Sequence, residues 1–309
     1  HLVSAADVHR ICDWHRLVDA LLVAHRGPTP LVDRSELHAG PEDARDTFLN
    51  LPAWQPGIAM GTKVVSVMPG NPRVSQALPA VQAAYVLFDG GTGTPLAVID
   101  GTAMTYRKTA ADSALGARFL VRRDARILLM VGAGALAPYL VAAHRAATPS
   151  IREVVLWNRD RSKAERLAHE VGGTVAGDLE QAVRRADIVS CATSSRLPLV
   201  RGAWLQRGAH LDLVGAYTPE MRECDDDAVR KARVFVDSRW FAVDRVGDLG
   251  DPIRRGVFTR EAIEADLFEL CANGLAQPRA PGDITLFKNG GGAHLDLFTA
   301  RFIWDDLSR

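Results

Sequence analysis

RILLMVGAGALAPYLVAAHRAATPSIREVVLWNR, residues 126–159, contains the pattern of a strand, a glycine-rich turn, a helix and a second strand. The apolar run 127–131 is typical of a parallel strand that is covered on both faces. Apolar residues then recur at helical spacing until 148–150, and the apolar run 154–157 comes next. The stretch therefore predicts a strand–helix–strand unit.

Small residues occupy the turn in the spacing Gly-x-Gly-x-x-Ala, at Gly132, Gly134 and Ala137. The first allows a tight turn, the second lets the backbone approach a pyrophosphate, and the third brings the helix close to the sheet. The helix N-terminus offers N–H groups and a partial positive charge to the phosphates. A purely structural turn explains the glycines less well, because each costs conformational entropy. We therefore predict a dinucleotide-binding sheet of the Rossmann type.

The end of the second predicted strand is where such folds read the ribose of the cofactor. An acidic residue there favours NAD, whereas an arginine accommodates a 2′-phosphate. This chain has Asn158 and Arg159, followed by Asp160. The pattern favours NADPH, with Arg159 binding the phosphate, and NADH remains the alternative because of Asp160.

The composition limits the classes of protein to which the chain can belong. Its 309 residues suit two domains, and its 37 basic residues equal its 37 acidic ones, so neither a nucleic acid nor a membrane is indicated as a partner. No apolar run reaches the ~18 residues of a membrane span, and no signal-peptide pattern is present. Cys12, Cys191, Cys224 and Cys271 lack metal-binding spacing, so we expect no metal site and a cytoplasmic protein with reduced thiols.

The first hundred residues predict an antiparallel sheet. Residues 60–68 alternate, and the alternation places Lys63 on the more apolar side of a strand. Such a lysine either extends its ammonium past the strand end or faces a cavity that holds an anion. Strands at 84–88 and 96–99, joined by the glycine-rich segment 89–94, predict a hairpin.

A helix predicted over residues 103–121 has Lys108 inside its apolar stripe and Arg107 at the adjoining edge. A cation on the apolar face of a helix is unusual. It either pairs with a carboxylate of the protein or binds a ligand. We therefore expect Lys63 and Lys108, with Arg107, to converge on a substrate carboxylate.

Downstream of the glycine turn, the pattern of helices and strands continues to the strand predicted at 234–237, so the parallel sheet is expected to end near residue 240. Thr193 and Val214 stand at the ends of two predicted strands, where nicotinamide nucleotides bind. The tail 285–296 predicts a glycine-rich loop that enters a final helix packed on the first domain. His294 in this loop is either a packed residue or an acid/base group near the substrate.

The sequence thus predicts an α/β protein with a Rossmann-type doubly wound sheet and an α+β substrate-binding and dimerisation domain that contains an antiparallel sheet. The expected boundaries are 1–108, completed by 287–309, for the substrate domain and 109–286 for the dinucleotide-binding domain. The residues expected to bind the cofactor are Thr109, Gly132, Gly134, Ala135, Leu136, Ala137, Asn158, Arg159, Thr193 and Val214.

Several short segments are similar, in order along the chain, to those of one known family. They are 85–89 (YVLFD), 95–101 (PLAVIDG), 107–114 (RKTAADSA), 132–137 (GAGALA), 155–159 (VLWNR) and 287–291 (FKNGG). With these segments, the chain resembles the ornithine cyclodeaminase/μ-crystallin family over most of its length. The resemblance implies a homodimer and an NAD(P)-dependent redox step at the α-carbon of an amino or imino acid.

The resemblance also carries over residue roles. The strand lysine of the family corresponds to Lys63, and the basic residue before Thr-Ala-Ala corresponds to Lys108, where the family usually has arginine. A further arginine of the family corresponds to either Arg34 or Arg45.

One departure from the family pattern bears on the reaction. Cyclodeaminases have an aspartate, which helps water attack an imine carbon, three residues after the position of Val214, and this chain has Tyr217 there. A reductase of a preformed cyclic imine handles neither water nor a leaving amine. The sequence therefore favours reduction of an imino acid, from Δ1-pyrroline-2-carboxylate to L-proline or from its six-membered homologue. The alternatives are an ornithine cyclodeaminase, an alanine-type dehydrogenase and a nucleotide-binding protein with little turnover.

Overall fold

The chain divides into two compact units, residues 1–108 with 292–309 (the first unit) and residues 109–291 (the second unit). The computed structural model describes residues 1–41, 45–75 and 78–308, and the side chains of all of these except Pro72 and Arg73. No helix in these ranges is long and apolar enough to cross a membrane.

The first unit is built on a mixed sheet. Its described strands are β1 (Leu2–Val3), β2 (Leu31–Val32), β3 (Ser35–Ala39), β4 (Asp46–Gln55), β5 (Ala59–Val67), β6 (Val81–Asp89) and β7 (Pro95–Asp100). They lie in the order β1-β7-β6-β5-β4-β2, and β3 pairs with β4. β1 is parallel to β7, and the other pairs are antiparallel. The predicted hairpin is therefore confirmed as the β6–β7 pair.

The helices that lie entirely in the first unit are α1 (Ala5–Ile11), α2 (Trp14–His25), α3 (Asn71–Val74) and α12 (Ala293–Leu307). Of these, α12 packs on the sheet along most of its strands, and α2 packs on α12. α12 contacts β4, β5 and α2, and its inward positions are buried from Ala293 to Ala300. The alternation in β5 buries Ala59, Gly61, Lys63 and Val65, as the sequence predicted for the lysine. β4 is 10 residues long and pairs with β5 from Thr47 to Gln55.

α4 (Gly101–Leu120) contains the boundary between the two units, at Lys108 and Thr109. The remaining helices belong to the second unit. They are α5 (Ala137–Ala147), α6 (Arg161–Val171), α7 (Leu179–Arg185), α8 (Asp226–Lys231), α9 (Arg239–Ala242), α10 (Gly247–Arg254) and α11 (Leu267–Asn273).

The second unit contains a parallel sheet. Its described strands are β8 (Ile127–Val131), β9 (Glu153–Trp157), β10 (Thr174–Val175), β11 (Ile188–Cys191), β12 (His210–Leu213), β13 (Arg233–Val236), β14 (Ile263–Asp266) and β15 (Thr285–Lys288). They lie in the order β10-β9-β8-β11-β12-β15-β13-β14. The order reverses between β8 and β11, which makes the sheet doubly wound and confirms the predicted fold class.

The expectation that this sheet ends near residue 240 is wrong. β14 extends it at the edge, and β15 is inserted between β12 and β13, where it pairs with both. Residues 287–291 consequently belong to the second unit rather than to the first. The run Thr285-Leu286-Phe287-Lys288 ends in a lysine before three glycines, so its sequence alone resembles the start of a loop.

Aspartates begin many helices of the second unit. The side chains of Asp160, Asp178, Asp225 and Asp266 accept hydrogen bonds from backbone N–H groups in the first turn of α6, α7, α8 and α11. α5 has no such cap, because Leu136 makes no side-chain cap bond, and α9 and α10 also lack one. In the first turn of α5 the N–H of Ala137 donates to the carbonyl of Gly134, and Pro138 has no N–H.

Candidate active site

The turn after β8 is tight and needs glycine at its first position. Gly132 has φ of +106°, and its N–H donates to the carbonyl of Trp157 at 2.8 Å. A side chain at this position would collide with the backbone of Ala192. The N–H of Ala133 donates to Asn158 Oδ1 at 3.2 Å, so the turn is also tied to the end of β9.

The second glycine of the motif has free space around it. A Cβ atom on Gly134 would meet nothing within 4 Å, and Gly134 and Ala135 are exposed. The carbonyl of Gly134 accepts from the N–H of Ala137, where α5 begins. Open space beside an uncapped helix N-terminus suits a phosphate. The phosphate oxygens accept hydrogen bonds from backbone N–H groups there, and the helix dipole favours the negative charge.

A groove of about 570 Å³ extends from this turn. It is lined by residues 132–134, by 157–160 with Lys163, and by 192–197. These segments follow the carboxyl ends of β8, β9 and β11, on both sides of the point where the strand order reverses. That is the position at which doubly wound sheets bind nucleotides.

Of the residues predicted to bind a cofactor, Gly132, Gly134, Asn158, Arg159 and Thr193 line this groove. The others lie nearby in the chain or deeper in the second unit. Ala135, Leu136 and Ala137 continue from the turn into α5, Val214 directly follows β12, and Thr109 lies in α4. The carbonyl of Thr109 accepts a hydrogen bond from Asn289 Nδ2 at 3.0 Å.

Three cations line the groove: Arg159 and Lys163 from the segment after β9, and Arg196 from the loop after β11. All three are exposed. Asp160, which weakened the sequence argument for a phosphate, instead caps α6 by accepting from the N–H and hydroxyl of Ser162 at 3.1 and 2.8 Å. These bonds lower the pKa of the carboxyl, the hydroxyl bond contributing most. The acidic residue is therefore explained by the helix start, and the cations remain available to an anion.

The first unit contains a buried cluster of charges. Lys63 of β5 is 5% exposed and Lys108 of α4 is 1% exposed, and both face Asp296 of α12. Lys63 Nζ lies 3.0 Å from Asp296 Oδ1 and 2.9 Å from Oδ2. Lys108 Nζ lies 3.5 Å from Asp296 Oδ1 and 3.5 Å from the carbonyl of Gly292. The structure thus brings together the two lysines that the sequence predicted to converge.

Burial changes the acidity of Lys63. The pKa of its ammonium is lowered to about 8, with desolvation as the largest cause and the positive charge of Lys108 acting in the same direction. The Asp296 carboxylate opposes both effects. An ammonium with a pKa near 8 is mostly protonated at neutral pH and can release its proton readily, as a general acid requires.

Tyr85 also belongs to this cluster, although the sequence analysis did not single it out. It is the cross-strand partner of Lys63 and is completely buried. Its ring occupies the space over Gly61, where any Cβ would collide with it. Burial, and to a smaller extent the Asp296 charge, raise the pKa of its phenol well above the usual value. The hydroxyl therefore remains a neutral donor.

Arg107 does not join Lys63 and Lys108, contrary to expectation. Its Nε donates to His9 Nδ1, and its two terminal nitrogens donate to the carbonyls of Cys12 and His9, at 3.1–3.2 Å. The guanidinium also stacks over the ring of Trp14. One position along a helix rotates a side chain by about 100°, and this rotation sends Arg107 toward α1 while Lys108 faces α12.

His294 has the environment of a packed residue. It is buried in the first turn of α12, with its ring edge-on to His25 and Phe298. Burial first, and then His25 and the Lys108 charge, lower its pKa well below the usual value. An imidazole that stays neutral cannot donate a proton as an acid at neutral pH, so the acid role is not supported.

Arg34 and Arg45 are the two arginines proposed for the remaining position of the family pattern. Arg34 lies between β2 and β3, and Arg45 lies between β3 and β4. Arg34 Nε donates to Glu36 Oε1 at 2.5 Å, and Arg45 is exposed. Asp296, like Tyr85, is a residue of the cluster that the sequence did not reveal. Every residue from Ala293 to Ala300 is buried, so helical periodicity gives no signal that marks Asp296.

A comparison of sequences identifies the family to which the chain belongs. A sequence model described as the ornithine cyclodeaminase/mu-crystallin family matches residues 18–309, and the chain belongs to this family. The resemblance found in the motifs is thereby confirmed.

Comparison with individual relatives shows which proteins of known name the chain is similar to. The chain is 40% identical to the Δ1-pyrroline-2-carboxylate reductase of Paracoccus denitrificans over 306 residues, which cover 97% of this chain and 95% of that protein. Its structure is similar to that of the Thermococcus litoralis Δ1-pyrroline-2-carboxylate reductase in complex with NADH and L-proline, with a TM-score of 0.90, 27% identity and coverage of 99% and 97%. It is also similar to an archaeal alanine dehydrogenase dimer with bound NAD, with a TM-score of 0.87, 26% identity and coverage of 99% and 96%.

Asp296→Asn tests the charge cluster without an activity measurement. Because the carboxylate favours the charged form of Lys63, its removal should lower the pKa of Lys63 below about 8. It should also cost about 3–5 kcal/mol of stability, because two buried ammonium groups lose their counter-ion. NMR titration of the lysine side chains and denaturant unfolding measure the two effects.

Asp305→Asn is the matched control, because Asp305 lies in the same helix but is half exposed and pairs with Arg301. It should leave both quantities near their wild-type values. An unchanged titration of Lys63 in Asp296→Asn would contradict the cluster.

Proposed function

We propose that the chain is an NAD(P)H-dependent reductase of a cyclic α-imino acid. It converts Δ1-pyrroline-2-carboxylate to L-proline and accepts Δ1-piperideine-2-carboxylate, which gives L-pipecolate, as a further substrate. The relative from Paracoccus denitrificans supports this activity by its name and by identity over nearly the whole chain. The observation that carries the proposal is the buried Lys63–Lys108–Asp296 cluster.

The charges of this cluster suit the substrate. With both lysines protonated, two ammonium groups share one carboxylate and leave a single positive charge in a buried place. A buried uncompensated charge is costly, and the carboxylate of an imino acid neutralises it. Lys108 and Lys63 therefore bind the substrate carboxylate and fix the orientation of the imine carbon.

Lys63 also supplies a proton. An imine accepts hydride at carbon readily only when its nitrogen is protonated, and the lowered pKa of Lys63 matches this task near neutral pH. The nicotinamide supplies the hydride when it is bound. The C=N bond gains one hydride at carbon and one proton at nitrogen, which yields the secondary amine. Tyr217, 60% exposed, carries no carboxylate with which to activate water.

Oxidation of NADPH on addition of Δ1-pyrroline-2-carboxylate tests the activity, and Lys63→Ala tests the role of the lysine. We expect the variant to lose about 10²–10⁴-fold in kcat/KM, because a general acid contributes that much. In the wild type, reduction should slow as pH rises through about 8, since Lys63 loses its proton there. Binding of NADPH should be unchanged.

Lys231→Ala, which removes an exposed lysine paired with Asp227 on α8, is the control and should retain full activity. Release of ammonia from ornithine, without imine reduction, would indicate a cyclodeaminase instead. Ammonia-dependent reduction of an open-chain keto acid would indicate an amino-acid dehydrogenase. Binding of NADPH without any turnover would indicate a nucleotide-binding protein.

NADPH is the proposed cofactor, because Arg159 and Lys163 line the groove in the segment after β9, near the position that reads the ribose. Arg159→Asp should raise the Kd for NADPH by about 10–100-fold and that for NADH much less, since only NADPH carries a 2′-phosphate. Fluorescence titration of both nucleotides measures the ratio.

Arg123→Asp introduces the same charge change before the amino end of β8, at the edge of the sheet opposite the groove. It should leave the ratio of the two Kd values unchanged. An equal effect of Arg159→Asp on both nucleotides would show that the ribose is recognised elsewhere.

We also propose that the chain acts as a homodimer through the uncovered face of the first sheet. Trp54, Met60 and Phe88 form a row across β4, β5 and β6, and line an apolar groove of about 360 Å³. Trp54 is 45% exposed, and Phe48 on the same sheet is 49% exposed. Exposed apolar residues grouped on one face of a sheet are typical of an interface, and the similar alanine dehydrogenase is described as a dimer.

Trp54→Arg should convert the dimer to a monomer, because the charge cannot be buried against an apolar partner surface. Light scattering during size-exclusion chromatography measures the mass. Val23→Arg changes another exposed apolar residue, on α2, and should leave the dimer intact. A wild-type monomer, or a Trp54→Arg dimer, would contradict this interface.

A further inference from the structure

A buried carboxylate connects two loops of the second unit. Glu223 is completely buried, and its Oε1 accepts from the N–H and hydroxyl of Thr193 at 2.7 and 2.8 Å. Its Oε2 accepts from the N–H of Gly215 at 2.7 Å and from that of Ala216 at 3.3 Å. One side chain therefore holds four donors from two different loops.

These loops follow neighbouring strands at the same edge of the parallel sheet. Thr193 comes after β11, and Gly215 and Ala216 come after β12. The groove residues that read the ribose follow β9, on the other side of the strand-order reversal. In a doubly wound sheet, a dinucleotide crosses this reversal, so the ends of β11 and β12 face its nicotinamide half.

The two loops approach each other so closely that a side chain on one would separate them. A Cβ atom on Gly215 would collide with the backbone N and O of Thr193 and would lie 2.6 Å from Glu223 Oε1. Gly215 makes this approach possible, and the carboxylate keeps the loops together.

Burying the carboxylate of Glu223 costs free energy, and a hydrogen bond to Asp248 holds its backbone in place. Its backbone N–H donates to Asp248 Oδ1 at 2.7 Å, and Lys288 Nζ lies 3.2 Å from Asp248 Oδ2. Burial first, and then the Asp248 charge, raise the pKa of Glu223 to about 7, while Lys288 and the Thr193 bonds oppose them. Costly buried carboxylates of this kind are concentrated at functional sites.

We propose that Glu223 is a positioning residue for the nicotinamide half of the cofactor, acting by tying together the loops after β11 and β12. The inference rests on the proposed nicotinamide-dependent function. Glu223 does not touch the cofactor in this role; it sets the separation and orientation of Thr193 and of the residues around Gly215, which do.

Glu223→Gln tests the inference by comparing two ligands. The amide oxygen of Gln can accept from one loop, but its NH₂ group faces the N–H donors of the other, so the tie is broken on one side. We expect the Kd for NADPH to rise about tenfold, because binding must then restore the loop arrangement that Glu223 maintains in the wild type. The Kd for 2′-phospho-ADP-ribose, which lacks the nicotinamide, should change less than about twofold.

Glu223→Asp is the second variant, because it keeps the charge but is too short to reach both loops. It should show the same selective loss, and thermal unfolding of every variant is recorded beside the titrations. Glu220→Gln, an exposed carboxylate three residues earlier, is the matched control and should bind both ligands as the wild type does.

The outcomes separate this inference from the function on which it rests. Selective loss of NADPH binding in either Glu223 variant supports the positioning role. Equal loss of both ligands, or lowered thermal stability with unchanged binding, overturns it in favour of a structural role. A wild-type protein that binds neither NADPH nor NADH overturns the proposed function and the inference together.

Discussion

The shared carboxylate of Asp296 is the interaction on which the first unit depends. It receives Lys63 from β5 and Lys108 from α4, and it stands on α12, near the carboxyl end of the chain. Each of these charges would be costly to bury alone, so the three elements reach low free energy only when all are in place. The ion cluster therefore couples the closing of the chain ends around the sheet to the formation of the candidate substrate site.

The second unit depends on a different constraint, the close approach of backbone segments at the carboxyl edge of its parallel sheet. Gly132 allows the turn after β8 to pass Ala192, and Gly215 allows the loop after β12 to touch Thr193. Capping side chains occupy the first turns of α6, α7, α8 and α11, whereas α5, α9 and α10 have none. Of these three uncapped helices, α5 is the one that follows the glycine turn at the start of the groove.

The reaction proposed for the chain requires only a few protein groups, and the structure contains residues of the required types. Reduction of a preformed imine needs a cation for the carboxylate, a proton for the nitrogen and a bound nicotinamide. In this proposal Lys108 and Lys63 provide the first two, and the lowered pKa of Lys63 follows from its burial beside a second lysine. A group that activates water is not required, which agrees with Tyr217 at the position where cyclodeaminases have an aspartate.

Local pattern in the sequence was sufficient for the glycine turn, the hairpin, the placement of Lys63 on the buried side of β5 and the membership of the family, because these depend on residues close together in the chain. Only the tertiary structure decided which distant groups meet. Asp296 lies 233 residues from Lys63, β15 enters the sheet between β12 and β13, and Arg107 and Lys108 separate toward α1 and α12. Strand order and charge pairing are set by burial and by the geometry of packing over the whole unit, and a one-dimensional pattern does not contain that information.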